Sequence, residues 1–135
     1  MGSRKTLWTG RILSALAVLF LALDSLGKLV EAEPVMAGTV QLGYPATAVF
    51  GLGVVLLLCV VAYAVPATSV VGAVLLTGYL GGAVATHVRV GNPWATHILF
   101  PTYVAALVWG GLLLRDARLR ALIPWRVGSG YKERP

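Results

Sequence analysis

The fold of this chain is decided by ATAVFGLGVVLLLCVVAYAVPATSVVGAVLLTGYLGGAVATHV, residues 46–88, a stretch that contains no Asp, Glu, Lys or Arg. The charge-free run already begins at Pro34, and a second one extends from Val90 to Leu114. The first run has room for two apolar spans of about 20 residues with a turn between them, and the second has room for one. The pattern predicts a protein embedded in a lipid bilayer.

Composition supports the same interpretation. Charged residues make up 12% of the 135 residues, whereas a soluble domain carries about 25%. Hydrophobic residues make up 58%, and the mean hydropathy is +0.82. Because β-strand alternation is absent and each apolar run has helical length, we expect an all-α fold: one integral membrane four-helix bundle over residues 1–135. The predicted spans are residues 8–30, 44–64, 67–88 and 94–114.

Proline and glycine mark the turns between these spans. Pro45 is placed at the start of the second span, where a proline is tolerated. Pro66 ends the second span in a tight turn, and the sequence GNP at 91–93 predicts the turn before the fourth. The basic N-terminus and first apolar run also resemble a secretory signal peptide, but LALDSLGK, residues 21–28, offers no small-x-small cleavage pair. We therefore expect an uncleaved first span.

Basic residues are concentrated at the two chain ends. Arg4, Lys5 and Arg11 precede the first apolar core, and six more follow the fourth span. Positively charged flanks stay in the cytoplasm, so both termini are expected to be cytoplasmic in the plasma (inner) membrane, with loops at 31–44 and 89–94 outside. The basic tail, residues 115–135, is expected to lie along anionic headgroups. This explains a pI of about 10.0 without a nucleic-acid partner.

Charged residues near the end of the first span form the first part of a candidate site. Asp24, Lys28 and Glu31 are spaced i, i+4 and i+7, and on a helix they share one face. Asp24 lies well inside the apolar span, where a charge costs roughly 2.5–3.5 kcal/mol and normally faces a partner in the bundle interior. Two interpretations stay open: a structural ion pair with Lys28, and a ligand site.

The turn between the third and fourth spans carries the chain's two histidines, His87 and His97. It lies at the same membrane depth as Lys28, so one cavity at the outer mouth of the bundle is predicted. An imidazole with its ordinary pKa of about 6.5 can exchange protons there. The histidines are ten residues apart, without i, i+4 spacing, so no metal site is predicted. The candidate residues are Asp24, Lys28, Glu31, His87, Arg89 and His97, with Tyr79 and Tyr103 as inward-facing additions.

Other residues in the spans indicate packing. The single cysteine, Cys59, excludes intramolecular disulfide chemistry, and with it the thiol oxidoreductases of the vitamin K epoxide reductase type. Gly78 and Gly82 have GxxxG spacing, which predicts close helix packing, and Gly110 and Gly111 predict the same for the fourth span. No haem, flavin or iron–sulfur motif is detectable, so a redox role would need a partner for electrons.

Four short segments resemble the DoxX-like family of small bacterial four-helix membrane proteins. They are SLGKLV at 25–30, LGYP at 42–45, ATHVRVGNPWATHILFP at 85–101 and GGLLLRDARLRALIP at 110–124. The resemblance covers about residues 8–124. It implies a four-helix protein of the inner membrane, with relatives that include a subunit of a thiosulfate:quinone oxidoreductase and proteins proposed to support membrane redox or detoxification. It supplies no catalytic motif to transfer.

Three functions are consistent with these features. The first is a redox-associated subunit or small enzyme that handles a quinone or another lipophilic molecule in the outer half of the bilayer, with a partner redox subunit or as a homo-oligomer. The second is a small four-helix exporter, because such exporters also carry an acid in their first span. The strong charge bias at both termini argues against their dual orientation. The third is a structural assembly subunit.

Overall fold

The computed structural model describes residues 3–123, of which 86% are helical and none lies in a strand. The predicted all-α fold is confirmed. The described chain opens with α1 (Arg4–Leu29), whose 26 residues make a helix of about 39 Å. Ser3 caps its N-terminus, since the Ser3 hydroxyl accepts a hydrogen bond from the Thr6 amide at 3.2 Å.

The connection after α1 differs from the loop predicted over residues 31–44. It folds into α2 (Glu33–Gln41), a helix of nine residues. Pro34 is preorganised for the first helical turn, and Glu33 places negative charge at the positive end of the helix dipole. The chain turns sharply on both sides of α2, where Glu31 has a φ of 53° and Gly43 a φ of 93°.

Two antiparallel helices follow, α3 (Ala48–Ala64) and α4 (Ser69–Val90), joined by a 3-10 turn at Pro66–Thr68. The turn at Pro66 lies where the sequence predicts it. α3 begins four residues later than the predicted start at Tyr44, because residues 44–47 form the turn that follows Gly43. α4 ends at a left-handed Gly91 with a φ of 78°, a conformation that glycine adopts without steric cost.

The last long helix starts irregularly. Residues Trp94–Ile98 form a π-helical turn, and α5 (Phe100–Arg115) follows. Pro101 lies in the first turn of α5, where its missing N–H costs no hydrogen bond. The short helix α6 (Ala117–Leu122) is capped by the Asp116 carboxylate, which accepts hydrogen bonds from two amides of its first turn.

The long helices form a four-helix bundle in which α1 and α4 are diagonal partners. α1 packs against α3 and α5, and α4 packs against the same two helices. We call the end that carries α2 and the 91–93 turn the distal end. The end that carries Ser3 and α6 is the proximal end.

The proximal half of the bundle is tightly packed around Tyr63, which is 1% exposed. The Tyr63 hydroxyl donates to the Val108 carbonyl at 2.7 Å, and the Ser14 hydroxyl lies 2.8 Å from it. Arg115 Nε donates to the Ser14 hydroxyl at 3.1 Å. Within residues 3–123 no buried side-chain nitrogen or oxygen lacks a hydrogen-bond partner, and this network joins α1, α3 and α5.

Close helix packing depends on glycines other than the predicted GxxxG pair. A Cβ on Gly111 would lie 2.7 Å from the Ser14 amide nitrogen, and one on Gly72 would lie 2.7 Å from the Ala62 carbonyl carbon. Among residues 3–123, no atom beyond the local helix backbone lies within 4 Å of a Cβ built on Gly78 or Gly82. Within this single chain the predicted close packing at Gly78 and Gly82 is therefore not found, because their side of α4 faces open space.

The outer surface of the bundle suits a bilayer. Large apolar side chains on three different helices are more than half exposed, among them Leu23, Leu58 and Val74. Within residues 3–123, three helical stretches are long and apolar enough to cross a membrane: Arg4–Leu29, Pro66–Val90 and Trp94–Arg115. α3 is shorter, with 17 residues, or about 25 Å, at the lower limit for a spanning helix.

The predicted basic tail is only partly within the described residues. α6 lies at the proximal end and exposes Arg118. Arg120 turns back and donates a hydrogen bond to the Leu113 carbonyl of α5. Arg126, Lys132 and Arg134, which also belong to the predicted tail, lie outside the described residues.

Candidate functional site

A cavity of about 440 Å³ occupies the distal half of the bundle. Its walls come mainly from α1, α4 and α5, with Leu52 of α3 and the segment 39–44 closing the remaining sides. Most of the lining is apolar, and the polar side chains are few. They are Asp24, Lys28, Thr39, Tyr44, Tyr79, Thr86 and His87.

Asp24 and Lys28 form an ion pair on one wall of this cavity. Lys28 Nζ lies 2.7 Å from Asp24 Oδ2, one helical turn away, and the side chains are 12% and 35% exposed. Gly53 of α3 lets the two helices approach here, because a Cβ on it would lie 2.8 Å from the Lys28 Cβ. The pair is therefore held in place by the α1–α3 contact. Among residues 3–123 the Lys28 ammonium donates only to Asp24, which leaves two of its three protons for other acceptors.

Hydroxyl groups line the opposite wall. The Tyr44 and Thr86 hydroxyls lie 2.8 Å apart, and Thr86 also donates to the Gly82 carbonyl. Tyr79 lines the cavity from α4, and its hydroxyl makes no hydrogen bond to residues 3–123. A phenol in this position can donate to a bound molecule.

A second pocket, of about 450 Å³, lies at the distal end and shares Asp24, Lys28 and His87 with the cavity. His97 lines this distal pocket, and its ring centroid lies 5.9 Å from that of His87. Each imidazole is oriented through Nδ1: His87 by the Asn92 side-chain nitrogen and His97 by the Thr96 hydroxyl, both at 2.8 Å. The two rings thus connect the cavity with the distal surface.

Arg89 was predicted to line the cavity, but the structure places it elsewhere. It lines neither cavity nor pocket, because its guanidinium turns towards α2 and donates to the Leu42 carbonyl at 2.6 Å. A Cβ on Gly43 would lie 2.8 Å from Arg89 Nη2, and the φ of 93° at Gly43 is a conformation that favours glycine. Arg89 fixes the turn after α2 and thereby the position of Leu42 and Tyr44 in the cavity wall.

Glu31 and Tyr103 also lie away from the cavity. α1 ends at Leu29, so Glu31 belongs to the following turn, is exposed, and no longer shares the face of Asp24 and Lys28. Tyr103 is 50% exposed, and its hydroxyl donates to the Ala95 carbonyl at 3.3 Å. The π-helical turn before α5 changes the rotation of that helix, so regular spacing from Thr96 does not predict its face.

The site can now be compared with known proteins. The DoxX-like family matches residues 12–111 of the 135. The chain belongs to the DoxX-like family. The matched part includes every residue that lines the cavity and the distal pocket. No curated protein and no solved structure matches the chain.

Some residues that line the cavity of this DoxX-like protein could not be predicted from the sequence. Tyr44 and Thr86 are 42 positions apart, and nothing in their spacing indicates that they meet. Phe20 and Phe100 form an edge-to-face pair with centroids 5.4 Å apart, but in the sequence they are ordinary residues of apolar spans. The available signal was Thr86 within an apolar span, since its hydroxyl must find a polar partner or a cavity.

The DoxX-like protein offers few metal ligands in its described part. Within residues 3–123 no group of three or more His, Cys, Asp or Glu side chains is close enough to hold an ion. His87 and His97 face the same pocket as a pair, with Asp24 engaged by Lys28. The expectation of no metal stays a prediction.

Proposed function

We propose that this DoxX-like protein binds a lipophilic molecule with an uncharged polar head, such as a quinone, in its distal cavity. The observation that carries the proposal is an apolar cavity in a membrane bundle with an ion pair and free hydroxyl and imidazole groups on its walls. Ligand sites of small molecules have this composition, with a few polar groups that orient an otherwise apolar ligand.

The charge balance of the cavity favours a neutral head. Asp24 neutralises Lys28 at 2.7 Å, so the pair presents hydrogen-bond donors without net charge. Quinone carbonyls accept hydrogen bonds, and the remaining protons of Lys28 and the hydroxyl of Tyr79 donate them. An ionic head would leave a charge unpaired in the low-dielectric bundle, which is costly.

We propose that the protein has a redox-associated role, as a membrane subunit or a small enzyme that handles the bound molecule. The chain has one cysteine and no haem, flavin or iron–sulfur motif, so electrons would come from or go to a partner subunit. His87 is the group best placed to exchange a proton with a bound head, because it lies between the cavity and the distal pocket. Positive flanks support an inner-membrane orientation with cytoplasmic termini and the distal end outside.

Equilibrium binding of decylubiquinone to the protein in lipid nanodiscs tests this proposal. We expect Lys28→Met to weaken binding at least tenfold, since the head loses its charged donor, and the double variant Asp24→Asn, Lys28→Met, which leaves no unpaired charge, to weaken it as much. Lys5→Met is the matched control, because Lys5 is an exposed lysine of the same helix at the proximal end. Wild-type protein that binds no quinone, or a Lys28→Met variant with unchanged affinity, would overturn the proposal.

An exporter is the second candidate, since an acid lies within the first span and the cavity and distal pocket share lining residues. The proximal half is closed in this structure by Tyr63 and its network. Transport would therefore require the helices to separate there. Uptake of a lipophilic cation into proteoliposomes, driven by a pH gradient and abolished in Asp24→Asn, would favour this candidate over the quinone site.

A further inference from the structure

We infer that the ligand enters the distal cavity sideways, from the hydrocarbon of the bilayer, and that Gly78 and Gly82 of α4 form the mouth that holds its apolar tail. The inference rests on the proposed function, because it assigns a route and a tail site to the same ligand. It also defines the ligand class further: a bilayer-resident molecule with a neutral head and a linear apolar chain.

The wall of the cavity formed by Gly78 and Gly82 carries no side chains. Gly78 and Gly82 are one helical turn apart, both line the cavity, and both are exposed. A Cβ on either would have no heavy atom within 4 Å, whereas Gly72 on the same helix is packed against the backbone of α3. α4 thus packs closely against α3 at Gly72, whereas another side of the same helix, which carries Gly78 and Gly82, is not covered by the side chains of residues 3–123.

The other sides of the cavity are closed by side chains. The rings of Phe20 and Phe100 meet edge to face at 5.4 Å between α1 and α5. The Tyr44–Thr86 hydrogen bond, at 2.8 Å, lies one turn beyond Gly82 and closes the distal end of the same side. Leu42 adds to this distal cover, held by Arg89. The cavity also continues past His87 into the distal pocket, and the glycine wall is its opening on the exposed surface of α4.

Depth in the membrane identifies what lies outside this mouth. Gly78 is at the middle of the candidate span Pro66–Val90, so its surroundings are acyl chains and not water. From Gly78 to His87 the helix rises by about 14 Å. That length accommodates a ring beside Lys28 and His87, together with a chain of several carbons that leaves past Gly78 into the lipid.

Paired substitutions distinguish the tail site from the head site. Gly78→Leu places a side chain in the mouth, where its Cβ has open space. Gly81→Leu is the control, because the Cβ position of Gly81 is equally open but Gly81 does not line the cavity. We expect Gly78→Leu to weaken binding of decylubiquinone at least tenfold and to leave the tail-less analogue 2,3-dimethoxy-5-methyl-1,4-benzoquinone within twofold. Gly81→Leu should change neither. Gly82→Leu repeats the test if the first variant unfolds.

The outcomes separate the two proposals. Lys28→Met should weaken both quinones, since it acts on the head. Equal affinities of Gly78→Leu, Gly81→Leu and wild type for decylubiquinone would overturn the lateral mouth while leaving the head site intact. Loss of the tail-less quinone in Gly78→Leu, to the same degree as decylubiquinone, would also overturn it. If wild type binds neither quinone, the proposed function fails, and the inference fails with it.

Discussion

Lys28 Nζ lies 2.7 Å from Asp24 Oδ2 across one turn of α1, and this ion pair stands in the wall of an otherwise apolar cavity. A membrane span carries such a pair at a cost, since both charges leave water. Each charge reduces the cost of the other, so neither residue can be removed alone without leaving an unpaired charge.

The first prediction concerns this pair. Asp24→Asn should lower the free energy of unfolding by about 1–3 kcal/mol, between the values typical of exposed and buried pairs, because Asp24 is 35% exposed and Lys28 12%. The double variant Asp24→Asn, Lys28→Met should recover most of this loss. Thermal unfolding in detergent measures both, with Glu31→Gln as an exposed control. Strictly additive losses would show that the two charges do not stabilise each other.

A second prediction uses adjacent glycines of α5. Gly111→Ala should destabilise the bundle by about 1–3 kcal/mol, because its Cβ would lie 2.7 Å from the Ser14 amide nitrogen. Gly110→Ala should be neutral or stabilising by up to about 1 kcal/mol, since the nearest atom, of Leu13, is 3.9 Å away and alanine favours helix. Unfolding midpoints of the two variants are compared. Equal effects would contradict the close contact between α1 and α5.

The buried network of the proximal half gives the third prediction. Tyr63→Phe removes the hydroxyl that bonds to Ser14 and Val108, and should cost about 1–3 kcal/mol because polar groups lose their partner in the core. Tyr103→Phe removes an exposed hydroxyl with a bond of 3.3 Å and should cost less than about 0.5 kcal/mol. Quinone affinity should be unchanged in Tyr63→Phe, since Tyr63 does not line the cavity. A tenfold loss of quinone affinity in Tyr63→Phe would show that the buried network influences the ligand site.

The apolar helices, and the residues that share one helix face, could be predicted from the sequence because they depend only on local sequence pattern. The charge-free runs predicted apolar helices, and i, i+4 spacing placed Asp24 and Lys28 on one face of α1. The antiparallel order of spans brought His87 to the same end as Lys28, where both line one cavity. Each of these inferences needs only helical period and direction of the chain.

Contacts that depend on how the helices are rotated against each other could not be predicted from the sequence. Gly78 and Gly111 both lie in apolar spans, yet one faces open space and the other the backbone of α1. Arg89 turns towards the Leu42 carbonyl, a partner 47 positions away. α2 was missed because a short helix at the membrane surface carries no long apolar run, although Pro34 after Glu33 was a helix-start signal.

Metal content is the subject of the fourth prediction. Purified protein should carry no stoichiometric zinc, copper or iron, because His87 and His97 lack a third ligand within residues 3–123 and zinc sites need at least three. Inductively coupled plasma mass spectrometry after extensive dialysis measures this. One metal ion per chain that disappears in His87→Ala would make the distal pocket a coordination site and reverse the prediction.

The fifth prediction is the orientation in the membrane, and single-cysteine labelling tests it. In a Cys59→Ser background, Gly38→Cys and Ser3→Cys each provide one thiol on an exposed position at opposite ends of the bundle. Gly38 is well suited, because no atom lies within 4 Å of its Cβ position. Positive flanks at both chain ends place the distal end outside. An impermeant maleimide should therefore label Gly38→Cys in intact cells and Ser3→Cys only after permeabilisation.

The reverse labelling pattern would invert the bundle, place the distal cavity towards the cytoplasmic leaflet and contradict the charge argument. Equal labelling of Gly38→Cys and Ser3→Cys in intact cells would show both orientations together, which is the behaviour of the dual-topology exporters. That result would favour a role of Asp24 in transport over a role in positioning Lys28 for a quinone head. Both substitutions lie at the ends of the bundle, far from Tyr63 and the packed core. Ser3→Cys removes the N-cap of α1, at a cost of about 1 kcal/mol, which should leave the bundle folded.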